Sequence, residues 1–107
     1  MKPITEDTLK QEHLLLYIHT PFCGTCHVAR SILTQIERTH NQDIFYEMNA
    51  SLYPNFMQEN KIESVPCLFI IDHGEIKEKV YAFQSVANIY TYLVKYAKHL
   101  FADEFDK

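Results

Sequence analysis

Two of the three cysteines in this 107-residue chain stand as Cys23-Gly24-Thr25-Cys26, and no other residues in it are as well equipped for chemistry. Sulfur attacks as thiolate rather than as thiol, so what matters is whether its surroundings favour the anion. The apolar run Leu14-Leu15-Leu16-Tyr17-Ile18 ends at His19-Thr20-Pro21, and helical spacing begins just after Cys23. A thiol at a helix start meets unpaired backbone N–H groups and the positive end of the peptide dipoles, both of which stabilise thiolate. Cys26, one turn further on, is placed to close a disulfide with it, and the pair reads as a two-electron thiol–disulfide switch. The same residues admit other readings. With His27 the motif is Cys-x-x-Cys-His, the attachment pattern of c-type haem. Cys23, Cys26, His27 and Cys67 together would supply four donors for a tetrahedral zinc ion. Cys67, at the head of a second apolar run, reads most simply as a small buried hydrophobe.

The composition narrows the field. A chain of this length builds one core and reads as a single domain, residues 1–107. Its 47% apolar and 22% charged residues are ordinary for a globular protein. Fourteen acidic residues against ten basic ones, with no cluster of Lys or Arg, argue against a nucleic-acid partner. The longest apolar runs, Leu14 to Ile18 and Cys67 to Ile71, are far too short to span a bilayer. The start Met1-Lys2-Pro3-Ile4-Thr5-Glu6-Asp7 lacks the features of a secretion signal. The expectation is therefore a cytoplasmic protein, where disulfides are transient and catalytic. The odd cysteine count agrees, and haem attachment, which needs export, is disfavoured.

These thiols need elements to hold them. Thr5 to Glu12 reads as a short polar helix capped by Thr5 or Asp7. Leu14 to Thr20 is a strand apolar enough to be covered on both faces. From Cys23 to His40 a helix is expected with Val28, Ile32, Leu33 and Ile36 as its stripe. Ile44 to Met48 gives a second strand, Pro54 to Asn60 a short helix opened by proline, and Val65 to Ile71 a third strand. Asp72-His73-Gly74-Glu75 turns the chain into Ile76 to Tyr81, whose alternating charges suit a sheet edge. Ser85 caps a last helix reaching Leu100, with Val86, Ile89, Tyr90, Leu93, Tyr96 and Ala97 inward. Phe101 to Lys107 is an acidic tail. Strand–helix–strand links imply parallel pairs, and the Asp72–Glu75 turn one antiparallel pair. The fold class is α/β, with a mixed four-stranded sheet and helices on both faces.

Phe22-Cys23-Gly24-Thr25-Cys26, then Ser64-Val65-Pro66 opening a strand some forty residues later, then Gly74 in the hairpin, are residues through which nearly the whole chain resembles the thioredoxin family. The resemblance implies a thioredoxin fold, shortened here at the N-terminus by the family's usual first strand, with Pro66 cis. It implies a thiol–disulfide oxidoreductase without a cofactor, whose partners are protein disulfides and a thiol or reductase donor. Cys23 is then the nucleophile and Cys26 the resolving thiol, while Phe22, Gly24, Thr25, Val65 and Pro66 form the surface that receives substrate. A glutaredoxin-like reductase of mixed disulfides is the nearest alternative. The chain departs from the family pattern at four places. Phe22 replaces tryptophan, Thr25 replaces the proline between the thiols, Tyr17 falls on the buried acid, and Glu47 falls on the lysine facing that acid. A phenol such as Tyr17 stays protonated near neutrality and serves poorly as a base there. Glu47 is therefore expected to stand in as the base for Cys26, its carboxyl lifted towards neutrality by partial burial.

Overall fold

The computed structural model describes residues 1–101, so the acidic tail lies outside the described residues beyond Phe101. The strands are β1 (Lys2–Pro3), β2 (Leu14–His19), β3 (Tyr46–Asn49), β4 (Cys67–Asp72) and β5 (Glu75–Val80). The helices are α1 (Gly24–His40), α2 (Pro54–Glu59) and α3 (Val86–Tyr96), with short 3-10 turns at Thr8–Lys10, Ala50–Leu52 and Lys98–Phe101.

The sheet order is β1-β3-β2-β4-β5. β3 runs parallel to both β1 and β2, whereas β4 is antiparallel to β2 and β5. The sheet thus has five strands rather than four. The shortening at the N-terminus is smaller than expected, because Lys2 and Pro3 pair with Tyr46 and Glu47. Two residues carry no periodicity, so this strand has no signature in the sequence. The segment expected as a helix from Thr5 to Glu12 contracts to a single turn. Thr5 and Thr8 cap each other there through reciprocal hydroxyl and backbone hydrogen bonds.

Alternation along β2 explains why it is apolar throughout. Leu15 and Tyr17 enter one core with Leu68 and Ile70 of β4, covered by Ala29, Leu33 and Ile36 of α1 and by Ile89 and Leu93 of α3. Leu14, Leu16 and Ile18 enter the opposite core with Met48, Cys67 and Phe69, where Phe56 of α2 packs edge-on against Phe69. The inward stripe of α1 is Cys26, Ala29, Leu33 and Ile36; Val28, expected inside, is exposed. Asn41 ends the helix in the left-handed conformation with φ 52°, which asparagine tolerates. The side chain of Ser85 accepts from the Asn88 N–H and starts α3, which stops at Tyr96, four residues short of the expected end.

Candidate functional site

The site forms where β2 stops and α1 begins. After His19 the chain turns through Thr20, Pro21 and Phe22 into Cys23, whose backbone is extended (φ −115°, ψ 109°) and which occupies the cap position of α1. From there the Cys23 Sγ accepts the Cys26 N–H at 3.2 Å and meets the Thr25 hydroxyl at 3.4 Å. Both contacts favour negative charge on that sulfur. The two Cα atoms are 5.2 Å apart and the side chains are joined as a disulfide. The thiols are unequal: Cys26 is buried at 4% exposure, while Cys23 is partly open to solvent. Around them Phe22 is 99% exposed, and Gly24 and Thr25 are also exposed.

Val65 and Pro66 reach the same end of the sheet through pairing. Cys67, the next residue, lies opposite Ile18, one position before His19. Their peptide bond is cis, Pro66 is buried and Val65 is half-buried. Cys67 itself joins the core on the far side of the sheet from α1, fully buried with Ile18, Met48 and Phe69, and burial pushes its thiol up to about 12. It belongs to the apolar core, so it does not complete a zinc set with Cys23, Cys26 and His27.

A pocket of about 180 Å³ opens beside the disulfide, lined by Tyr17, His19, Thr20, Pro21, Cys23, Cys26, His27 and Arg30. Tyr17 is fully buried and its hydroxyl donates to the Cys26 carbonyl at 2.6 Å, joining β2 to the first turn of α1. Burial, with the nearby Glu47 carboxylate and against the pull of Arg30, raises this phenol to about 12. Arg30 lies over the Tyr17 ring, 5.4 Å from its centre, and forks onto Glu47 at 3.0 and 3.4 Å. His19 approaches the same oxygen as the closer Arg30 nitrogen, with its Nε2 3.4 Å from Glu47 Oε1. His19 also stacks on Tyr17, with ring centres 5.3 Å apart.

This network corrects the expectation for Glu47. Burial does work to raise its carboxyl, but the hydrogen bonds and charge of Arg30, helped by His19, outweigh it and hold the group below the usual carboxylate range. Glu47 is an ion-paired carboxylate, not one lifted towards neutrality. His19 moves the opposite way to a histidine that gains a charge partner. Burial and then the Arg30 charge lower it, and Glu47 only partly compensates.

Arg30 is the residue that reading the sequence missed. It lies four positions after Cys26, and residues four apart share a helix face, so it had to sit one turn above the second thiol. Next to a half-buried carboxylate on β3, that spacing is the signal that would have found it.

The fold and the asymmetric thiol pair at a helix start define a thioredoxin-type protein, and its site is of the thiol–disulfide oxidoreductase class. Residues 4–95 match the family model described as Thioredoxin, and the chain belongs to that family. It is 39% identical over 93 residues to the thioredoxin-like protein YusE of Bacillus subtilis (strain 168), covering 84% of this chain and 88% of that protein. Among solved structures it is similar to a single-site mutant thioredoxin from Halobacterium salinarum NRC-1. That match has a TM-score of 0.74 and 14% identity over 90% of this chain and 88% of the other. It is also similar to the oxidised thioredoxin of Plasmodium falciparum, with TM-score 0.72 and 14% identity over 91% and 98% of the two chains. At that identity the two structures speak for the fold.

Proposed function

We propose that this chain, acting as one domain, reduces protein disulfides in the cytoplasm and is itself recharged by a thiol or a reductase. The observation that carries the reading is the inequality of the two sulfurs, one at the helix cap near solvent and one buried a turn later. Cys23 thiolate attacks a substrate disulfide, forms a mixed disulfide and releases the first substrate thiolate. Cys26 thiolate then attacks the Cys23 Sγ, closes the internal disulfide and releases the second. Two electrons pass to the substrate and must be restored by the donor. Exposed Phe22, with Gly24, Thr25, Val65 and Pro66, receives the substrate segment, which lies extended along the Val65 backbone.

The proton leaving Cys26 needs an acceptor. His19 lines the pocket beside Cys26 and is held below the ordinary imidazole range, so it is neutral at pH 7 and one ring nitrogen can accept a proton. Glu47 serves with it, orienting the ring and stabilising the imidazolium once formed. Loss of either residue of this pair slows the second step and spares the first.

The test is reduction of a disulfide-bonded protein under a dithiol reductant, with the two steps resolved by stopped flow. Cys23→Ser abolishes turnover, and Cys26→Ser, reduced and then freed of reductant before substrate is added, accumulates mixed disulfides that a reducing gel dissolves. His19→Gln slows closure of the mixed disulfide without slowing its formation. Full turnover by Cys23→Ser overturns the assignment of the thiols. An unchanged closure rate in His19→Gln assigns the proton to water.

A further inference from the structure

We propose that the opposite end of the same two strands holds a divalent transition-metal ion, ligated by His13, Asp72 and His73. His13 immediately precedes β2, Asp72 ends β4, and His73 is the first residue of the turn into β5. Pairing of Leu14 with Ile71 brings residues from distant parts of the chain side by side. The Asp72 carboxylate sits between the two rings: Oδ1 lies 2.5 Å from His13 Nδ1, and Oδ2 lies 3.2 Å from His73 Nδ1. The ring centres are 5.2 Å apart at 66°, and all three donor atoms lie within 4.8 Å of one another. Among the described residues this is the group of three or more His, Cys, Asp or Glu close enough to share an ion.

The cluster is positioned by backbone. His73 and Gly74 both have positive φ, 54° and 75°, as a two-residue hairpin turn of the twisted kind requires. The Gly74 N–H donates to the Glu12 carbonyl at 3.0 Å, so the turn is tied to the residue just before His13. Asp72 is only 16% exposed, whereas His13 and His73 are 63% and 78% exposed. The carboxylate is rooted and the imidazoles are open to an ion arriving from water.

The donor set selects the ion. Bonds of about 2.0–2.2 Å in a tetrahedral arrangement place donors roughly 3.4 Å apart. The His73 contact is already near that spacing, and the exposed His13 ring has room to swing outward and reach it. Each imidazole binds through Nδ1 by moving its proton to Nε2. Two imidazoles and one carboxylate suit Zn²⁺, Ni²⁺ or Cu²⁺, and not Mg²⁺ or Ca²⁺, which take oxygen ligands. The depression around the cluster is also lined by His99, Lys95 and Lys98. His99, on the lining of that depression, offers a further imidazole, and water supplies the fourth ligand otherwise. The two ammonium groups oppose a cation and moderate its affinity.

The experiment titrates untagged, oxidised protein with ZnCl₂ by calorimetry, with Cys23 and Cys26 closed as the disulfide. One equivalent binds, and the melting temperature rises with free zinc by mass action. Loss of a partner behind a ligand already weakens metal sites about 10–100-fold, so His13→Ala and His73→Ala each weaken binding by about tenfold or more. Asp72→Asn weakens it while preserving side-chain shape, which keeps the test intact if an alanine variant folds poorly. Co²⁺ gives visible bands of nitrogen and oxygen coordination without thiolate charge transfer. No saturable uptake overturns the proposal. So does uptake that survives both histidine variants, or uptake that His27→Ala removes.

Discussion

β2 and β4 carry a polar cluster at each end, and the two clusters are built on different terms. At one end Tyr17, His19, Arg30 and Glu47 are partly or wholly buried, so each shifts the others' proton affinity and the group surrounds a reactive sulfur pair. At the other, His13 and His73 stand in solvent around one rooted carboxylate. His13, just before β2, and His19, at its end, stand six positions apart, roughly 20 Å of extended chain. Burial tunes reactivity; exposure presents ligands. One apolar stem serves both, because its alternating side chains are consumed by the two cores and leave polar chemistry to the strand ends.

Breaking the stem gives the largest effect. Phe69 is fully buried, lies opposite Leu16 and packs against Phe56. Phe69→Ala is expected to cost about 3–5 kcal/mol in denaturant unfolding, and to weaken reductase turnover and zinc uptake together. Loss at one end alone would show that the ends do not share the stem.

A smaller change should strike one end only. Tyr17→Phe removes the hydroxyl that donates to the Cys26 carbonyl, which keeps only its place in the helical ladder of α1. The expected cost is about 0.5–1.5 kcal/mol, with slower closure of the mixed disulfide and unaltered zinc binding.

The smallest effect is the ion pair of Glu47 with Arg30. It is partly open to water, so Glu47→Gln is expected to cost only about 0.5–1 kcal/mol at pH 7. The folded protein holds this carboxyl below its ordinary value, so the contribution is complete above that value, about 4.3, and is lost as pH falls through the lowered one. Parent and variant stabilities should therefore converge between about pH 5 and the acid limit, as the ordinary carboxylate range is crossed. A gap that persists in acid would mean that shape rather than charge holds the pair.

The strands and helices that bury a face were legible because burial leaves a period. β2, β4, α1 and α3 stand out in the sequence for that reason, and so does the thiol pair, through fixed spacing at a strand–helix junction. Three kinds of feature left no period of their own. β1 is two residues stitched to a neighbour by backbone hydrogen bonds. The pairing of Glu47 with Arg30 depends on a helix and a strand meeting across the sheet, so the sequence suggested a lifted carboxyl where the fold supplies a cation. The gathering of His13 with Asp72 and His73 depends on strand register, and separately each residue reads as ordinary surface.

The outermost strands have a consequence for the chain in crowded solution. A sheet's free margin invites the margin of another molecule. Here one margin is Lys2–Pro3, short, charged and ended by a residue with no N–H to offer. The other is Glu75–Val80, in which Lys77, Glu78 and Lys79 follow one another. Short length, proline and charge are devices that discourage strand-to-strand stacking of copies. A protein with an accessible thiol–disulfide site is thereby kept from zipping onto itself.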